Sequence, residues 1–130
     1  MVRTLLEMVA EAKREVRALS VAETEARDSA TASETLVLDV REPEEYGAGH
    51  LPGALNVPRG LLELKVDPKS PGFDSRFEDR GRQVVTYCTG GIGARSAMAA
   101  QTLQRMGFSD VAWLDGGLTA WGGAGKPVER

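Results

Sequence analysis

Cysteine and histidine are almost absent from this chain of 130 residues, which holds one of each, Cys88 and His50. One cysteine excludes an internal disulfide, and one histidine excludes a histidine cluster for zinc. No apolar run approaches the roughly 18–20 residues that a membrane-spanning helix needs. The opening residues, Met1 to Glu7, lack the apolar stretch and small-residue cleavage site of a secretory signal. A cytoplasmic protein without a membrane partner is therefore expected. A basic excess is missing too: 16 Lys and Arg face 19 Asp and Glu, a net charge of −3. Nucleic acid is thus excluded as a partner on chain-wide charge, and any anion site must be local. What is present is ordinary for a globular chain, 42% apolar and 27% charged. The length suits one domain with its own core. The lone cysteine is then either a small buried hydrophobe or a reactive thiol, and its neighbourhood must decide.

Residues 3–16 place Leu5, Leu6, Met8, Val9, Ala12 and Val16 at helical spacing, with charges between them. An amphipathic helical extension is expected over residues 1–14, ahead of a domain covering residues 15–130. Its apolar stripe should pack on that domain, leaving a monomer, or serve a weak homodimer. Val16 to Leu19 fits a short strand, and Ser20 with Glu23 fits a capping box opening a second helix. Residues 28–34 are small and polar and read as a loop. Thr35–Val40 is a near-continuous apolar run, as in a strand covered on both faces. Ala54–Val57 reads as another buried strand, 59–66 as helix and 67–82 as mostly loop. Gln83–Cys88 is a β-branched strand, Ser96–Met106 a helix ended by Gly107, Val111–Leu114 the last strand, and Leu118–Trp121 a short helical piece. Short buried strands alternating with helices imply a three-layer α/β/α sandwich around a mainly parallel sheet. Ligands of such sheets sit at the carboxyl ends of strands, where Cys88 lies.

The informative segment is Tyr87-Cys88-Thr89-Gly90-Gly91-Ile92-Gly93-Ala94-Arg95-Ser96. A strand ends at the cysteine, a glycine-rich loop follows, and a helix begins. Glycines let backbone N–H groups turn inward as an anion nest, and the helix start adds further unpaired N–H groups. Arg95 adds a fixed charge with bidentate hydrogen-bonding capacity. Positive surroundings favour the thiolate, the nucleophilic form of cysteine. Cys88 is the expected nucleophile, and Thr89, Gly90, Gly91, Ile92, Gly93, Ala94 and Arg95 the expected anion cradle. Arg59, after the Ala54–Val57 strand, is a candidate for steering anions from the rim.

The chain resembles the rhodanese-like domain family in four ordered places. Asp39-Val40-Arg41-Glu42-Pro43-Glu44-Glu45-Tyr46 and Gly49-His50-Leu51-Pro52-Gly53-Ala54-Leu55-Asn56 are similar to its two N-terminal signatures. Tyr87-Cys88 with Arg95-Ser96-Ala97-Met98-Ala99-Ala100 is similar to its active-site loop and helix, and Leu114-Asp115-Gly116-Gly117-Leu118-Thr119-Ala120-Trp121 to its C-terminal signature. The resemblance implies a five-stranded sheet and a thiosulfate sulfurtransferase cycle. In that cycle the cysteine takes sulfur from a small sulfur-containing anion as a persulfide and passes it to cyanide or a thiol. It implies no metal or organic cofactor. One departure stands out: six residues separate Cys88 from Arg95, two more than is usual in the family. The longer loop is expected to widen the cradle or to start the helix elsewhere. A phosphatase or arsenate reductase is therefore a competing function, although Tyr87 stands where the phosphatase motif has histidine. A non-catalytic binding module is the third.

The other polar residues have structural expectations. His50 belongs to a turn in the family, Asp39 and Arg41 should hold the end of their strand, and Glu42, Glu44 and Glu45 should form a solvated helix face. Trp113 and Trp121 are expected in the core.

Overall fold

The computed structural model describes residues 1–30 and 34–130. Helix α1, Leu5–Glu15, starts at a capping box in which Thr4 and Glu7 satisfy each other's backbone N–H groups, and strand β1, Arg17–Leu19, follows it. Helix α2, Val21–Ala30, opens on the Ser20–Glu23 box. The first part of the expected loop at 28–34 is thus helical, and residues 31–33 of it lie outside the described residues. Then come β2, Leu36–Asp39; α3, Pro43–Ala48; β3, Leu55–Asn56; a 3₁₀ turn at Arg59–Leu61 leading into α4, Leu62–Val66; and a second 3₁₀ turn at Ser75–Phe77. The chain ends with β4, Val84–Tyr87; α5, Ala94–Arg105; β5, Val111–Leu114; and α6, Gly117–Gly123.

The five strands form one sheet in the order β1-β5-β4-β2-β3, and every pair is parallel. Alternation along the strands splits the core in two. Leu36, Leu38, Val84, Cys88, Val111 and Trp113 face one side, where α1, α4 and α5 contribute Ala12, Leu62, Val66, Ala97, Ala100 and Leu103. Val37, Val85, Tyr87, Ala112 and Leu114 face the other, against Leu51 and Trp121, with Val21, Tyr46 and Leu118 packed on them. This is the expected three-layer sandwich, and both tryptophans are buried in it. Among the described residues, no helix is long and apolar enough to cross a membrane.

The N-terminal helix docks on α5, but with less of its stripe than expected. Val9, Ala12 and Val16 are buried, whereas Leu5 is 56% and Leu6 64% exposed. Leu5 shares the inward face with Val9 but lies a full turn further out, and Leu6 points off that face. Charged groups seal the seam instead: Glu15 accepts from Gln101 Nε2 at 3.0 Å, and Arg105 lies 3.4 Å from the same carboxylate.

Candidate active site

Strand order creates the site. β4 lies between β5 and β2. The chain leaves β4 through α5 towards one face of the sheet and leaves β2 through α3 towards the other. Adjacent parallel strands that part in this way open a crevice at their carboxyl ends. Cys88 sits at that crevice, one residue beyond β4, and only 3% of its surface is exposed. Its Sγ is 3.3 Å from Ser96 Oγ, which is itself 3.3 Å from the Gly93 carbonyl oxygen.

The loop above the thiol is tight. The Gly93 N–H donates to Gly90 O at 3.1 Å, closing a four-residue turn, and α5 starts at the next residue. The two extra residues are thus taken up in the closed turn and the first residue of the helix. Gly93 closes the turn as a left-handed cap with φ +71, and Ala94 begins the helix two positions ahead of the expected Ser96. Trp113 enforces the glycine, since a Cβ at Gly93 would stand 2.8 Å from its ring. The helix start leaves the N–H groups of Ala94, Arg95 and Ser96 without intrahelical partners.

From below, α6 holds the loop in place. Leu118 and Thr119 donate their N–H groups to the carbonyls of Cys88 and Thr89, both at 2.9 Å. Gly117, at φ +54, comes so close that a Cβ would lie 2.3 Å from Cys88 O. That contact is the physical content of the Gly116-Gly117 pair in the C-terminal signature.

Under the crevice lies a buried polar knot. Asp39 accepts from Arg41 Nη2 at 2.7 Å and from the Tyr87 hydroxyl at 2.6 Å, and Arg41 also donates to Gly49 O at 2.7 Å. Burial above all, with the Asp39 carboxylate second, pushes the Tyr87 phenol far above its usual range. It therefore serves as a neutral donor. Asp39 and Arg41 thus tie the end of β2 to β4, the structural role expected of them. His50 stacks on Tyr46 at 3.7 Å and binds Tyr46 O through Nδ1 at 2.9 Å, within the turn before β3.

The charged partner of the loop comes from α3. Arg95 donates to Glu45 Oε1 at 2.7 Å and Oε2 at 3.2 Å, and its Nη2 lies 3.3 Å from Thr89 Oγ1. The hydrogen bond from Arg95 depresses the Glu45 carboxyl to about 2. Glu45 is thus not merely part of a solvated face, as the acidic run had suggested. Arg59 is placed elsewhere: its guanidinium donates to Glu63 and Thr102, each at 2.9 Å. Thr102 lies eight residues beyond Ala94, about 12 Å along α5. The structure does not bring Arg59 to the loop. Two participants escaped the sequence reading, Ser96 and Glu45. Ser96 is signalled only by its place in the first turn after the loop, and nothing local to Glu45 signals its partner. A cavity of about 720 Å³ lies at the opposite end of the sheet, where it is lined by Glu34, Gln83 and Asp110, just ahead of β2, β4 and β5. It is remote from the thiol.

The model of the rhodanese-like domain matches residues 22–124. A sulfurtransferase of Allochromatium vinosum is 34% identical over 101 residues, covering 76% of this chain and 82% of that protein. A tRNA uridine(34) hydroxylase of Shouchella clausii is 34% identical over 98 residues, 74% of this chain, but the chain spans only 28% of its length. A solved structure from Rhodopseudomonas palustris, described as a possible tyrosine phosphatase, is 38% identical with a TM-score of 0.90, covering 99% of this chain and 96% of that one.

Proposed function

The chain belongs to the rhodanese-like domain family, and from that premise we propose that it is a sulfurtransferase working through a persulfide on Cys88. The observation that carries the reading is the thiol at the carboxyl end of β4, beneath a glycine turn and beside Ser96 Oγ at 3.3 Å. In the first half-reaction the Cys88 thiolate attacks the outer sulfur of a sulfane donor such as thiosulfate. A new sulfur–sulfur bond forms, the old one breaks, and its electron pair leaves with sulfite. In the second, cyanide or a thiol takes the outer sulfur and Cys88 returns as thiolate. The free N–H groups at the start of α5 suit the outer sulfur's negative charge. Ser96 Oγ accepts from the resting thiol and donates to Gly93 O; once Cys88 is a thiolate, the hydroxyl can turn that hydrogen to the sulfur. No step calls for a metal or organic cofactor.

The test is direct because Cys88 is the only cysteine. Protein incubated with thiosulfate should gain the mass of one sulfur atom, and cyanide should remove it with release of thiocyanate. Cys88→Ser should gain none and remain folded. A wild-type protein that gains no sulfur from any sulfane donor refutes the proposal.

A phosphatase is the second reading, favoured by the likeness to the Rhodopseudomonas palustris structure. It is the weaker one, because the cation that a phosphate would need, Arg95, is already paired with Glu45. Hydrolysis of p-nitrophenyl phosphate that depends on Cys88, without persulfide formation, would reverse the order.

A further inference from the structure

We propose that Glu45 is a specificity-determining residue. By occupying Arg95 beside the loop, it steers sulfur transfer away from doubly charged donors such as thiosulfate. The favoured class is persulfides and polysulfides, whose fixed charges lie several bonds from the sulfur transferred. This rests on the sulfur-transfer reading and names its substrate class.

Three observations carry it. The first is the closed triangle at the loop: Arg95 bridges both oxygens of Glu45, and Thr89 Oγ1 lies 3.3 Å from Arg95 Nη2 and 3.3 Å from Glu45 Oε2. The carboxylate is also held from behind, since Oε1 accepts the Glu42 N–H at 2.9 Å in the capping box that opens α3. It is therefore a fixed part of the site. Its depressed pKa keeps it ionised at any neutral pH.

The second observation is that the arginines following β2 and β3 are both already engaged. Arg41 is buried on Asp39 and Gly49, and Arg59 is bound to Glu63 and Thr102. Exposed Glu42 and Glu44 after β2, and Asp115 after β5, add only negative charge to the same end. The third is Ile92, which puts an apolar side chain, 45% exposed, on the turn itself. A dianion arriving here meets a neutralised guanidinium, an acidic surround and an apolar tip. A persulfide R–S–SH meets no such opposition. The Cys88 thiolate attacks its outer sulfur, the donor's sulfur–sulfur bond breaks, and the electron pair leaves on RS⁻, which takes a proton from water. The outer sulfur then gives its proton to the hydroxide so formed and rests as Cys88–S–S⁻ against the N–H groups at the start of α5, so charge and oxidation state balance without any further reactant.

Glu45→Gln is the decisive variant, because glutamine at the third helical position still closes a capping box. kcat/KM is measured for thiosulfate and for glutathione persulfide with cyanide as acceptor, alongside persulfide formation on Cys88 by mass. Removing one charge close to a dianion at a partly exposed site should shift the thiosulfate-to-persulfide ratio about tenfold towards thiosulfate. The change should appear in KM, shrink with added salt, and vanish in the double variant Glu45→Gln/Arg95→Gln. A fall in activity with both donors alike, or an unmoved ratio while Cys88 still takes sulfur, overturns the role of Glu45 alone. Failure of Cys88 to take sulfur from either donor overturns both readings.

Discussion

Replacing Gly117 by alanine should cost far more than its place in an ordinary helix start suggests. The residue has φ +54, and an added Cβ would stand 2.3 Å from Cys88 O, 2.8 Å from Thr89 C and 2.9 Å from Gly90 N. Alanine in the left-handed region costs about 1–2 kcal/mol. All three neighbours are backbone atoms, so no side-chain rotation relieves the clash, and overpacking of this kind adds about 1–3 kcal/mol. The sum is about 2–5 kcal/mol. Two controls separate the parts. Gly125→Ala has φ +76 and open space within 4 Å, so it should show only the backbone cost of about 1–2 kcal/mol. Gly60→Ala has open space and no positive φ, and should change stability by no more than about 1 kcal/mol either way. Urea unfolding measures all three, with the midpoint moving and the slope unchanged. The atoms that must give way belong to the Cys88 loop, so Gly117→Ala should also slow sulfur transfer under conditions where it is folded. If it unfolds within about 0.5 kcal/mol of Gly125→Ala, the argument that α6 is wedged under the loop is wrong.

Two further expectations concern the buried knot and the loop length. Asp39→Ala strands Arg41 in a site where the pair is 4% and 0% exposed, and should destabilise by about 3–5 kcal/mol in urea unfolding; a loss under about 1 kcal/mol would contradict the pairing described. Deleting Gly93 and Ala94 removes the left-handed cap and turns α5 by about 200° relative to the loop, so Ser96 leaves Cys88 and Arg95 leaves Glu45. kcat/KM should fall with every sulfur donor alike, whereas a selective gain with thiosulfate would restore the wide-cradle account.

What the sequence determined by itself is what depends on neighbours along the chain. The runs Leu36–Val40 and Val84–Cys88 alternate faces because a strand has a period of two, whatever lies beside it. Ser20 and Glu23 cap α2 through bonds that span three residues. Cys88 and the glycines after it announce a strand, a turn and a helix start in a single stretch, and with the flanking signatures they were enough to identify the fold and to single out Cys88 as the candidate nucleophile. What only the tertiary structure decided is what depends on strand order. Glu45 meets Arg95 across 50 positions, because β2 and β4 are neighbours whose helices part to opposite faces. Arg59 turns to Thr102 rather than to the loop, since α4 and α5 pack on one face and offer it a partner there. The helix start at Ala94 is settled by the Trp113 ring, which arrives from β5 and leaves room only for glycine at 93. Local pattern specifies which residues can form an element. Which side chains meet at its end is set by the packing of the whole sheet, because each such contact joins segments that have no covalent reason to be close.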